Sequence, residues 1–361
     1  MRARHASHGG YRTDAERSNH LAMRILIAGE DQVWAIERSL RTALADVGVT
    51  ATVFDWWSAG APLRNRAMAK RPLWSAVARR ANRALLSAAV EHDAVLIVKG
   101  LLIDAETVAA LRAGGGRPVV CFNPDNPWKP VPACHSPVAI AAMPEYDAYL
   151  TWTAGLVSRL YSAGCRRVEV LRFAWDPALH PFVPDQAETH EVAFVGNWSE
   201  HRQRWIEALG DFPLTLYGHE WAKRLRGGRR PNIAVRRDMP FGDAFAREIR
   251  FAKIALNLFD PWKCPGTNMR TFEIPGVGGV MLSTWTDDVD EIFGDAVPTF
   301  RTRSELRDQL ELLLADARTR ERVRTRSHAI AENHTFSDRA HALLDLLREL
   351  REASSPHAAH V

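Results

Sequence analysis

Lys253–Ser283 reads KIALNLFDPWKCPGTNMRTFEIPGVGGVMLS. Lys253–Leu258 has the near-continuous apolar character of a strand buried on both faces. A loop of Pro, Trp and Gly follows. Thr267-Asn268 then stands where a helix begins, Arg270 and Glu273 fall in its first turns, and Gly278-Gly279 ends it. The next strand, Gly279–Ser283, starts at once. This is one strand–loop–helix–strand unit of an α/β fold.

The same alternation extends towards the N-terminus. Glu191–Val195 reads as a strand, Ser199–Leu209 as a helix, and Leu214–Tyr217 and Asn232–Val235 as strands. Asp176–His190 holds three prolines and little periodicity, which marks a linker. Before it, Arg24–Ala28, Thr50–Phe54, Asp93–Lys99, Pro118–Phe122, Ala148–Trp152 and Val168–Arg172 read as strands. Helical spacing separates them at 36–47, 73–90 and 104–112. The tail Ser304–Leu350 is helical. The fold class is therefore α/β, with two doubly wound halves facing a central cleft. The expected organisation is a disordered leader 1–22, a first domain 23–175, a linker 176–190, a second domain 191–334, and a final helix and tail 335–361. That helix is expected to return to the first domain.

Composition narrows the class. The chain has 361 residues, 46% of them apolar and 25% charged, with 14 Phe and 12 Trp. Such a chain builds a sizeable core, which excludes disorder throughout. The longest apolar runs fall far short of the roughly 20 residues that span a bilayer. The four cysteines form no C-x-x-C pair and no zinc pattern, and the first 22 residues lack the apolar stretch of a secretory signal. A cytoplasmic protein is expected. No G-x-G-x-x-G follows Arg24–Ala28, and no Walker loop or G-x-S-x-G elbow occurs. These absences argue against a nicotinamide dehydrogenase, a P-loop NTPase and an α/β-hydrolase.

Ligands of open α/β sheets sit outside the carboxyl ends of the strands. At the helix that opens with Asn268, free N–H groups and the helix dipole suit a diphosphate. Arg270 adds a forked cation for phosphate oxygens, and Glu273 can accept two hydrogen bonds from a ribose diol. Each residue alone also fits a plainer role: Asn268 as an N-cap, Gly278 as a C-cap, Arg270 and Glu273 as an ion pair.

Asn268-Met-Arg270-Thr-Phe272-Glu273 … Gly278-Gly279 resembles the spore-maturation CgeB-type family of bacterial glycosyltransferases. Phe194-Val-Gly196-Asn197-Trp … Arg204, Lys253–Asn257, His334-Thr-Phe … Arg339 and Cys121-Phe-Asn-Pro-Asp125-Asn-Pro127 resemble further pieces of it, in order. The likeness is specific over about residues 191–345 and loose over 23–180. It implies the GT-B architecture: two Rossmann-like domains, with a nucleotide sugar held mainly by the second. It places Glu273 on the ribose-binding Glu of GT-B donor sites, and Gly196 and Asn197 on the loop facing the diphosphate. Arg204, Asn257, Asn268, Arg270, Gly278 and Gly279 complete the expected donor set. Many retaining GT-B enzymes carry a second Glu eight positions before this one; here Pro265 stands there.

An inverting transfer needs a base near the acceptor hydroxyl. Asp125, after the fourth strand, ranks first, ahead of Glu30 and Asp31 after the first strand. Asp288-Val-Asp290 imitates a metal-binding D-x-D, but Thr286-Asp287-Asp288 reads better as a capped helix start. No metal or other cofactor is expected; helix N-termini and arginines would stabilise the leaving group.

Between Asp55 and Glu91 there is no acidic residue, while Arg64, Arg66, Lys70, Arg71, Arg79, Arg80 and Arg83 lie there with Trp56, Trp57 and Trp74 nearby. The segment 64–83 is a solvated helix face or a peripheral contact for anionic lipid or an anionic acceptor; nucleic acid is the weakest partner. Lys223, Arg224, Arg226, Arg229 and Arg230 read as an exposed loop.

The expected function is transfer of a sugar, of hexosyltransferase type, from a nucleoside-diphosphate donor to an unknown acceptor. The alternatives are a non-catalytic nucleotide-sugar-binding protein and a sugar-nucleotide epimerase of the same fold.

Overall fold

The computed structural model describes residues 23–60, 71–131, 134–184, 187–225, 231–260 and 266–354, with backbone only at 60 and 71–74. The leader 1–22, Arg64, Arg66, Lys70, the side chains of Arg71 and Trp74, Arg226, Arg229, Arg230, Cys264, Pro265 and the tail 355–361 lie outside the described residues.

Two six-stranded, all-parallel sheets form the frame. The first contains β1 (Arg24–Gly29), β2 (Thr50–Asp55), β3 (Ala94–Val98), β4 (Val119–Asn123), β5 (Ala148–Thr151) and β6 (Val168–Val170), in the order β2-β1-β3-β4-β5-β6. The second contains β7 (His190–Val195), β8 (Leu214–Tyr217), β9 (Ile233–Arg236), β10 (Ala252–Asn257), β11 (Met281–Thr284) and β12 (Thr299–Phe300), in the order β12-β11-β10-β7-β8-β9. Strand order reverses between β1 and β3 in one sheet and between β7 and β10 in the other. The loops that follow these strands leave in opposite directions, the usual ligand position of a doubly wound sheet. Glu30 and Lys99 stand at the first switch point, Gly196 and Asn257 at the second.

β3 and β4 are buried at every residue, which requires cover on both faces. On one face of the first sheet, Leu40 and Leu44 of the helix Ile36–Asp46 pack beside Leu343, Leu344 and Leu347 of the helix Phe336–Ser354. Each fully buried leucine contributes about 1.5–3 kcal/mol. The last helix thus belongs by packing to the first domain. The helical tail is three helices, Arg303–Ala315, Ala317–Ala331 and Phe336–Ser354. Asp316 makes the first break by accepting from the N–H groups of Arg318 and Thr319.

Asp176–Val183 is no free linker. Leu179 and His180 bond back to the Asp176 carbonyl, Trp175 Nε1 donates to the His180 carbonyl at 2.7 Å, and Val183 N donates to Val277 O. The two crossings between the domains run side by side. Trp175 N donates to His334 O at 2.9 Å and Phe336 N to Trp175 O at 3.0 Å. Arg339 clasps the pair by donating to the carbonyls of Arg172 and Phe173.

The domains also touch at the carboxyl ends of their strands. Gly266, after β10, adopts φ +121°; a Cβ there would lie 2.4 Å from Asp288 Oδ2 and 2.7 Å from Thr153 Oγ1. Thr153 follows β5 and Asp288 follows β11, so only glycine admits this approach. Arg172, after β6, bonds Glu291 at 2.7 Å beside it. No helix among the described residues is long and apolar enough to cross a membrane.

Candidate active site

The helix Met269–Gly276 begins with a reciprocal cap. Asn268 Oδ1 accepts from Thr271 N–H at 3.0 Å, and Thr271 Oγ1 accepts from Asn268 N–H at 3.2 Å. Asn257, the last residue of β10, is buried beneath it. Its Oδ1 accepts from Asn268 Nδ2 at 2.9 Å and its Nδ2 donates to Thr271 Oγ1 at 3.2 Å. The end of β10 is therefore bonded to the start of the helix. Thr267 Oγ1 is buried there with no hydrogen-bond partner among the described residues.

Arg270 reaches across to β7. Its Nε donates to the Val195 carbonyl at 3.3 Å and its guanidinium lies 4.3 Å from the Phe245 ring centroid. Its Nη1 donates to Glu273 Oε2, whose carboxylate is only 2% exposed. Glu273 Oε1 faces His180 Nε2 at 3.7 Å. Gly196 follows Val195, and Trp221 Nε1 donates to its carbonyl at 2.7 Å. Asn197 is exposed beside it. Asn257, Asn268, Arg270 and Glu273 thus gather with the Val195–Asn197 turn at the second switch point.

Three expected donor residues stand elsewhere. Gly278 and Gly279 close the opposite end of the helix, about 12 Å from its start at 1.5 Å per residue. Gly278 donates to Pro275 O and Gly279 to Ile274 O. Gly278 takes φ +85°, and a Cβ there would lie 2.9 Å from the Phe182 ring. Here they end the helix and lead into β11. Arg204 pairs with Glu200 on an exposed helix face, its side chain 61% exposed. Arg202 points inward instead, donating to the carbonyls of Leu258 and Asn197. Two positions along a helix turn through about 200°, so Arg202 and Arg204 face opposite ways, which the motif spacing alone did not resolve.

On the first domain, Asp125 Oδ2 lies 2.7 Å from Lys99 Nζ, which follows β3. Burial works against the Lys99 charge, but Asp125 together with Glu30 and Cys134 outweighs it and holds the ammonium above the ordinary lysine range. Lys99 adopts φ +63°, unusual for a side chain with a Cβ. Sequence reading missed this residue, although its place between an apolar strand and Gly100 was visible. Glu30 accepts from Trp57 Nε1 at 3.0 Å and donates its N–H to Glu37 at 2.8 Å. Glu37 is buried, which raises its carboxyl above the usual range. Asp31 is committed to Arg38, 2.6 Å away.

Asp288 and Asp290 lie in the helix Asp287–Phe293, capped by Thr286. Asp288 is buried, which raises its carboxyl, and it faces Arg172 at 4.0 Å. Among the described residues no group of three His, Cys, Asp or Glu is placed to hold a metal ion. Arg79, Arg80 and Arg83 are exposed on the helix Arg71–Ala88.

Residues 201–345 match a protein-family model described as glycosyl transferase-like. A search of curated proteins finds no match. Anabaena HepE, solved in complex with UDP-glucose, is similar in structure: TM-score 0.61, 14% identity, covering 91% of this chain and 100% of that one. Sucrose-phosphate synthase from Thermosynechococcus elongatus gives a TM-score of 0.67 at 10% identity, covering 92% and 100%. A glycosyltransferase from Rickettsia africae gives 0.61 at 10%, covering 91% and 98%. The chain has the GT-B fold, two parallel α/β domains, and its second domain with the helices that follow carries the glycosyl transferase-like segment.

Proposed function

We propose that this chain is a glycosyltransferase of CgeB type that moves a sugar, as a hexosyltransferase, from a nucleoside-diphosphate donor to an acceptor hydroxyl. One observation carries the reading: Asn268, Arg270 and Glu273 gather at the β7/β10 switch point, on the first turns of a capped, buried helix. The glycosyl transferase-like match over 201–345 supports it. So does the likeness to HepE, which was solved with UDP-glucose.

In this reading the diphosphate lies at the start of the helix Met269–Gly276, against Arg270 and the Gly196-Asn197 turn. The ribose hydroxyls meet Glu273. The acceptor enters from the first domain, near Asp125, Lys99 and Glu30. For transfer with inversion, the acceptor oxygen forms its bond to the anomeric carbon as the bond to the diphosphate breaks. The departing diphosphate keeps the electron pair, and Asp125 takes the hydroxyl proton. Charge developing on the diphosphate meets the helix N–H groups and Arg270, with no metal. The protein would act in the cytoplasm of a bacterium. Arg79, Arg80 and Arg83 would face an anionic membrane or acceptor.

A thermal-shift screen against UDP, dTDP, GDP and their sugars tests the donor, because a specific ligand raises the melting temperature. The sugar nucleotide that stabilises the protein should then be hydrolysed slowly to the free diphosphate, with or without EDTA. Binding without hydrolysis in the presence of candidate acceptors would favour a non-catalytic binder. Loss on EDTA with rescue by Mg²⁺ or Mn²⁺ would overturn the metal-free mechanism.

A further inference from the structure

We infer that His180 is a positioning residue that orients the Glu273 carboxylate towards the ribose hydroxyls of the donor; the inference rests on the donor site proposed above. His180 comes from the crossing between the domains, not from the second domain's strand ends. Its side chain is 3% exposed and its Nε2 lies 3.7 Å from Glu273 Oε1. The other ring nitrogen, Nδ1, faces the Gly242 carbonyl at 3.3 Å. Phe245 packs on the ring at 4.8 Å between centroids and Phe241 at 5.3 Å. Trp175 Nε1 fixes the backbone of the same residue by donating to its carbonyl. The imidazole is therefore placed by its Nδ1 contact, two phenylalanine rings and its own main chain.

Glu273 is held from two sides as a result. Arg270 engages Oε2 and His180 faces Oε1. Each carboxylate oxygen has a second lone-pair direction, so both keep capacity for a hydroxyl donor. A carboxylate with Arg270 alone can turn about its last torsion. With its proton on Nε2, the imidazole presents a donor to Oε1 and restricts that turn, and the ribose hydroxyls meet a fixed pair of acceptors. The interdomain crossing thereby contributes directly to the donor site.

The test compares a nucleoside diphosphate with its 2′-deoxy form, UDP against 2′-deoxy-UDP and GDP against 2′-deoxy-GDP. The wild type should favour the ribonucleotide by about tenfold or more, the worth of a hydrogen bond to a charged group. His180→Ala should shrink that preference to about twofold, with affinity for inorganic pyrophosphate unchanged. His180→Gln, whose amide reaches the place of Nε2, should restore most of it. His180→Phe keeps the ring packing without the nitrogens and should behave as the alanine variant, which guards against a folding defect. An unchanged preference in the folded alanine or phenylalanine variant would overturn the inference. A wild type that binds a diphosphate with no ribose preference would also overturn it, together with the ribose role of Glu273, while leaving the diphosphate site at Asn268 and Arg270 standing. A wild type that binds no nucleoside diphosphate would remove both.

Discussion

Arg270 donates from Nε to the carbonyl of Val195, the last residue of β7, at 3.3 Å. The bond ties the first turn of the helix Met269–Gly276 to the neighbouring strand across the switch point. Together with the Asn257–Asn268 bond, it fixes where the helix start points.

Arg270→Ala should weaken donor binding by about tenfold or more, since it removes the forked cation. It also leaves Glu273 buried without its cation, which should lower stability by about 1–3 kcal/mol. Urea titration beside a binding isotherm separates the effects. Unchanged donor affinity in a folded variant would place the diphosphate elsewhere.

Asp125→Asn should reduce kcat by about a hundredfold or more and leave the donor KM nearly unchanged, the signature of a lost base. Lys99→Met should lower kcat as well, because the Lys99 ammonium holds the Asp125 carboxylate in place at 2.7 Å. Steady-state kinetics with the donor identified by the thermal screen checks both. An unaltered rate in Asp125→Asn would remove it as the base.

Gly278→Ala should separate stability from function. The residue holds φ +85°, and the new methyl meets the Phe182 ring and the Val183 carbonyl. A loss of about 1–3 kcal/mol is expected, with donor affinity intact, because the proposed site lies at the other end of the helix. A selective loss of donor affinity would restore the glycine to the binding set.

His334 makes stability acid-sensitive. Burial, with Arg339 and Arg172 nearby, lowers its pKa from the ordinary 6.5 to about 4. The folded state therefore favours the neutral ring. That contribution is fully present above pH 6.5 and is lost as pH falls through 6.5 towards 4. His334→Gln keeps an acceptor for Arg339, and its urea midpoint should fall less than that of the wild type between pH 7 and pH 5. Parallel curves would show that the ring does not titrate with unfolding.

The strands were largely legible because both sheets are parallel and covered, so their apolar runs stand out from the loops. The helix Asp243–Phe251 was not read. Its charges at 243, 247, 248 and 250 interrupt a short buried face of Phe245, Ala246 and Ile249. β12, two residues long, gives no periodicity at all. At the site, Asn268, Arg270 and Glu273 were visible because one helix start presents all three. His180 and Lys99 were not, since each meets a partner far away in sequence: Glu273 for the first, Asp125 for the second. Gly278 and Gly279 entered the expected donor set with the motif that contains them, and eight residues of helix separate them from Asn268.

Isothermal titration of the wild type and Glu273→Ala with UDP, GDP and dTDP tests the central claim most directly. The wild type should bind one of these diphosphates at one site per chain, and Glu273→Ala should bind it about tenfold or more weakly. Equal affinity in the two proteins, or no binding of any of the three to the wild type, would contradict a donor site built on Asn268, Arg270 and Glu273.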